Sequence, residues 1–280
     1  MKLVRYGDIG SEKPGMIDSS GALRDLSAHV DDINGAVLGK LDELKAIDEA
    51  SLPRVEGSPR LGTCVGNIGK LMCIGKNYSE HAKEMDSEVP DHPLLFMKAN
   101  SAIIGPNDTV SIPRGSETTD WEVELGVVIG KAAKYISKEE ALDYVAGYTI
   151  VNDVSERTFQ KKISGQWTKG KSCDTFGPIG PWMVTADEVG DPQKLDLSCD
   201  ISGQRMQTGN TSQMIFSVVD IISHLSGLFT LHPGDVIATG TPPGVGAGMK
   251  PHPVFLKPGD TMELRVEGLG AQRQNVVMDE

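Results

Sequence analysis

The segment TTDWEVELGVVIG, residues 118–130, sets two acids two positions apart inside an otherwise apolar run. Its Trp, Val, Leu and Ile content reads as a β-strand, in which alternate side chains share a face. Glu122 and Glu124 therefore lie on one face, roughly 6 to 7 Å apart. Trp121, Val123, Leu125 and Val127 take the other face and pack inward. A second apolar run, GYTIVND, delivers Asp153 to a loop mouth at its end. Two readings follow. The wet face of a half-exposed strand satisfies the periodicity alone. Alternatively, three hard oxygen donors with no Cys and no evident His partner suit Mg²⁺, Mn²⁺ or Ca²⁺ and disfavour Zn²⁺. A divalent cation would make the like-charge pair favourable.

Three further stretches carry reactive side chains. In GKNYSEHAKEM, residues 75–85, His81 and Glu84 are three apart on a predicted helix, so the carboxylate can orient the imidazole as a general base. An incidental pair on a solvated helix face is the plain alternative. After Asp153, Arg157 and Gln160 follow by one and two helical turns, and Lys171 lies in a Gly-flanked loop where backbone can approach a ligand. Such groups could hold an anionic substrate, whereas Lys161 and Lys162 read as surface charge. The run IATGTPPGVGAG, residues 237–248, has no GK[ST] and does not match GxGxxG, so it is no phosphate loop. It reads either as a tight turn between strands or as a source of backbone N–H groups, at Gly240 and beyond, and of the Thr241 hydroxyl for a carboxylate.

The elements that must position these groups are mostly short strands. Lys2 to Tyr6, Gly15 to Asp18 and Leu23 to Leu26 are predicted strands, with a helix over Leu38 to Ile47. Pro and Gly punctuation then marks a boundary, giving a small N-terminal domain, 1–68, ahead of a catalytic domain, 69–280. Leu71 to Gly75 is a strand, and Ser79 to Glu88 a polar helix that Asn77 caps and that only neighbouring segments or substrate would pin down. Ser137 and Glu140 form a capping box for another helix. Leu197 to Ser202 and Arg205 to Thr208 make a hairpin about Gly203, and FSVVDIISHLSGLF is a core-packed helix. His224 within it reads as an ordinary helix residue.

With 27 basic against 39 acidic residues the net charge is −12, which repels nucleic acid and anionic membrane. The four cysteines form no CxxC pair and suggest reduced thiols. No run approaches the ~18 apolar residues of a membrane span, and MKLVRYGDIG offers no apolar leader core. A cytoplasmic protein is expected. The 32 glycines and 16 prolines favour a turn-rich, β-rich fold of the α+β class.

Taken in order, GKNYSEHAKE, DWEVELGVVIG, GYTIVNDVSERTFQ, QWTKGKSCDTFGPIGPW and GDVIATGTPPGVG resemble the fumarylacetoacetate hydrolase family over residues 70 to 270. The resemblance implies a mixed β-sandwich or roll with peripheral helices, assembled as a homodimer. It implies Mg²⁺ or Mn²⁺ on Glu122, Glu124 and Asp153, a water-activating dyad at His81 and Glu84, and the family lysine at Lys171. MKLVRYG, KPGMID and RDLSAHV are similar to a bacterial branch that holds 2,4-diketo-3-deoxy-sugar-acid hydrolases, acylpyruvases and proteins labelled ureidoglycolate lyase. The activity implied is hydrolysis of a C–C bond in a small anionic 2,4-diketo acid. Ureidoglycolate cleavage, or decarboxylation or isomerisation of a 2-oxo acid, would use the same handle. Two other expectations compete: a non-catalytic module with a structural Ca²⁺, and Cys173 as a nucleophile beside Lys171.

Overall fold

The structure is a computed structural model that describes residues 1–85 and 88–280. Its strands are short and heavily apolar, and they assemble into a ten-stranded mixed sheet and a five-stranded sheet packed face to face. At the centre of the larger sheet run Val123–Ile129 and Val145–Asn152, antiparallel, with Gly177–Thr185 on one side and Val236–Ala238 on the other. Leu71–Gly75 pairs parallel with Val236–Ala238, and Leu94–Lys98 closes that edge. The strands of the first 68 residues extend the opposite edge, because Lys2–Tyr6 pairs antiparallel with Gly177–Thr185.

Both faces of the larger sheet are covered, which explains why its central strands are apolar throughout. Val123, Leu125, Val127 and Ile129 face the smaller sheet and helix Val218–Leu228 in one hydrophobic cluster. Val128, Val151, Ile179 and Met183 face Leu26, Ile33, Leu38 and Leu44 of the N-terminal segment in a second. Glu122 and Glu124 share the parity of Val128, so they point to this second side, near the end of the strand where the apolar cover stops.

Several predicted elements change form. The helix over Leu38 to Ile47 is two short helices, Gly35–Leu38 and Leu41–Lys45, with Asn34 accepting from the amides of Ala36 and Val37. The capping box at Ser137 and Glu140 is half made, with the Ser137 amide 3.1 Å from a Glu140 oxygen, and it opens only a 3₁₀ turn, Ala141–Tyr144. Asn77 caps nothing. Its side chain donates to the carbonyls of Phe216 and Thr239 and accepts from the Phe216 amide, and Tyr78 occupies the cap position. Three long-range bonds outweigh one local cap. The helix itself is Ser79–Glu84, and Asp86 and Ser87 of its expected span lie outside the described residues. Among the described residues no helix is long and apolar enough to cross a membrane.

Candidate active site

Strand register brings the acids together. Glu124 lies opposite Val151 across the central pair, and the Asp153 amide donates to the Glu122 carbonyl at 3.0 Å. The three carboxylates, all buried, offer oxygens within 4.8 Å of one another. They line a cavity of about 150 Å³ together with His81, Arg157, Gln160, Lys171 and Thr241. Ile74, Phe96 and Trp167 add an apolar wall, in which the Phe96 and Trp167 rings lie 5.4 Å apart.

An alternating chain of ion pairs holds the acids in place. Arg157 reaches Asp120 at 2.8 Å and Glu122 at 2.7 Å, Lys171 joins Glu122 at 2.7 Å to Asp153 at 2.6 Å, and Lys98 reaches Asp153 at 2.6 Å. Three acids thus alternate with three bases, and the chain is neutral. Glu124 is left over. It accepts from the Gly240 amide at 2.8 Å, and among the described residues no cationic side chain pairs with it.

The titration of these groups follows from that arrangement. Burial works to raise the Glu122 carboxyl, yet Lys171 and Arg157 outweigh it and hold Glu122 well below the usual carboxylate range. Burial, and then the charges of Asp153 and Glu122, push Glu124 well above that range. Lys171 pays a desolvation cost, but Asp153 and Glu122 push it up to about 12, so it stays charged. The donor set therefore fits a hard divalent cation: three converging carboxylates, one of them lacking a counter-charge. Each oxygen of Glu122 and Asp153 keeps a second lone pair for it.

The Gly-rich segment serves the protein's own acids. Gly240 N–H binds Glu124, Gly244 N–H binds both oxygens of Glu84 at 2.9 and 3.1 Å, and the amides of Gly246 and Ala247 bind Asp120 at 2.7 and 3.0 Å. The Thr241 hydroxyl, expected to meet a ligand carboxylate, donates instead to the Val123 carbonyl at 2.9 Å and accepts from Gln207. Strand Val123–Ile129 needs that bond at its open end, so the hydroxyl proton is committed.

His81 and Glu84 face each other on their helix, Nδ1 to Oε2, at 3.3 Å. Because Gly244 fixes Glu84, the helix is docked against the Gly-rich segment. A Cβ at Gly248 would sit 2.3 Å from Cγ of Glu84. Gly248→Ala should therefore displace Glu84 and lower kcat by about tenfold with KM and metal affinity near parent values. An unchanged kcat would remove Glu84 from the machinery.

Arg157 lines the cavity and braces the cluster, its guanidinium donating to Asp120, Glu122 and Gln160. Lys161 and Lys162 are exposed, as expected of surface charge, but Lys161 lines the cavity. Burial pushes the Cys173 thiol up to about 11 and its Sγ lies 3.7 Å from the Lys169 carbonyl, an environment that disfavours the thiolate a nucleophile needs. Two members of the cluster escaped sequence reasoning, Lys98 and Asp120. Asp120 carried a signal, since D-W-E-V-E places it in the same parity as both glutamates.

The family model described as fumarylacetoacetate (FAA) hydrolase C-terminal matches residues 70–277. The chain belongs to the fumarylacetoacetate hydrolase family. Relatives within it include a protein of Burkholderia orbicola with the provisional name of hydrolase, 59% identical over 98% of both chains. Among solved structures, fumarylacetoacetate hydrolase from Exiguobacterium antarcticum superposes with a TM-score of 0.89 at 36% identity, covering all of both chains. Maleylpyruvate hydrolase from Sphingobium, in complex with manganese and pyruvate, gives 0.83 at 28%, again over both full chains. A 5-carboxymethyl-2-hydroxymuconate delta-isomerase from Mycobacterium smegmatis gives 0.77 at 33% over both full chains. The fumarylacetoacetate hydrolase fold, β-rich with peripheral helices, is thus shown for this chain, and its family includes hydrolases and isomerases.

Proposed function

We propose that the protein hydrolyses a C–C bond in a small 2,4-diketo acid. The observation that carries this reading is one cavity lined by a three-carboxylate cluster and by His81, whose ring pairs with Glu84. A divalent cation on Glu122, Glu124 and Asp153, Mg²⁺ or Mn²⁺, would supply Lewis-acid polarisation of the substrate's 2-oxo carboxylate end. The pyruvate in the Sphingobium complex is the fragment that cleavage of an acylpyruvate would release.

The chain's own groups supply the rest. Glu84, fixed by Gly244, accepts from Nδ1 of His81, which leaves Nε2 to take a proton from water. That water adds to the C4 carbonyl. The C3–C4 bond then breaks, its electron pair passes into the 2-oxo group as an enolate, and C3 takes a proton to give the 2-oxo acid and a carboxylic acid. The ammonium of Lys171, charged and buried at the cavity wall, stabilises negative charge that develops there. Gln160, also buried at that wall, is placed by its bond from Arg157 at 3.1 Å.

Isomerisation is the second reading, favoured by the isomerase among the structural neighbours. It needs the same cavity and base without water. Turnover of acylpyruvates and of 2-hydroxy-dienoates, each with Mg²⁺ and with EDTA, separates the two. Glu124→Gln keeps the shape of the acid and removes its charge, so metal affinity should fall by at least about tenfold, read by titration calorimetry. Parent affinity in that variant, or EDTA-resistant turnover, would sink the proposal.

A further inference from the structure

The cations around the cavity fall into two groups. Lys98, Arg157 and Lys171 are buried and each pairs with acids of the cluster. Lys76 is half-buried and Lys161 exposed, both line the same cavity, and among the described residues neither ammonium pairs with a carboxylate. Other lysines of this acidic chain do pair, as Lys70 does with Asp235 and Lys138 with Asp220. The gradient of burial orders the groups from the floor, where the carboxylates lie, to the mouth, where the two lysines stand.

Two further observations indicate that the mouth is built. Lys161 closes helix Arg157–Lys161 four residues after Arg157, so both share the face turned to the cavity. Lys76 has a backbone φ of 56°, a left-handed conformation that costs a non-glycine residue energy and that is found at ligand-binding positions.

We infer that Lys76 and Lys161 set the specificity of the outer cavity and select 2-oxo acids with a second carboxylate at the end remote from the 2-oxo group. The inference rests on the function proposed above, because the cluster at the floor must hold the 2-oxo carboxylate end for the far end to reach the mouth. With a net charge of −12 on the chain, an unneutralised basic mouth also steers such a dianion inward.

Binding to the Mn²⁺-loaded protein tests this without turnover. Each of two 2-oxo dicarboxylates, 2-oxoglutarate and 2-oxoadipate, is compared with the monocarboxylate of equal chain length that ends in methyl, 2-oxopentanoate and 2-oxohexanoate. At low salt at least one dicarboxylate should bind about tenfold more tightly than its partner, the yield of two partly exposed ion pairs. In Lys76→Met/Lys161→Met the ratio should fall to about twofold or less. Lys161→Met alone, at an exposed helix end, should lower it part-way. Equal affinities within both pairs in the parent protein, or a preference that survives the double variant, would overturn the inference and leave the proposed function standing. Failure of all four acids to bind would overturn both.

Discussion

In His81→Ala, hydrolysis of acylpyruvates is expected to fall by roughly 10² to 10⁴-fold, the range for loss of a general base, while Mn²⁺ and pyruvate affinities stay within about twofold of the parent. The division follows from where the groups sit. In the proposed function the metal and the 2-oxo acid would be held by side chains from the central strands and the loops after them, whereas His81 comes from a separate helix. That helix is fixed at both ends without the imidazole, by Asn77 on Phe216 and Thr239 and by Glu84 on Gly244. Removing the ring therefore leaves its scaffold in place. Loss of metal affinity along with activity would show that His81 belongs to the cation site, and parent-rate hydrolysis would show that the dyad does no chemistry. Single-turnover kinetics with acylpyruvate separates a slowed chemical step from slowed product release.

The carboxylate cluster was legible because two local signals coincide in it, a strand-forming apolar run and acids at period two. The strand Leu71–Gly75 and the hairpin about Gly203 were legible for the same kind of reason, since apolar content and turn chemistry are written in consecutive residues. What failed needed partners far along the chain. Asn77 looks like a cap, but its amide is claimed by residues 139 and 162 positions away. Lys98 ends an ordinary-looking strand, LLFMK, and gains its role only by meeting Asp153 from 55 residues off. The Gly-rich segment was read as a donor of N–H groups, which it is. Which carboxylates receive them depends on the packing of Glu84, Asp120 and Glu124 around one loop, and no spacing rule encodes that.

Lys98→Met should cost about 3 to 5 kcal/mol of stability in EDTA, the range for breaking a buried ion pair from one side. The Lys98 side chain is fully enclosed, and its ammonium is spent on Asp153 and on the Val154 carbonyl at 3.0 Å. Methionine fills the space of the stem but supplies neither charge nor donor. The neutral alternation of three acids and three bases then loses its end member, so Asp153 joins Glu124 in lacking a full counter-charge. A divalent cation on the three carboxylates would restore what the lysine supplied, because it would bind the folded state and stabilise it by mass action. Saturating Mg²⁺ should therefore raise the urea midpoint of Lys98→Met by more than it raises that of the parent, and shrink the gap between them. If the gap is the same with Mg²⁺ as with EDTA, the cation does not share the charge of Asp153, and the ligand set must be redrawn without it. If Lys98→Met is too unstable to purify in EDTA, the parent protein unfolded with and without Mg²⁺ still reports the linkage. Unless Mg²⁺ stabilises it, the three carboxylates are not a metal site.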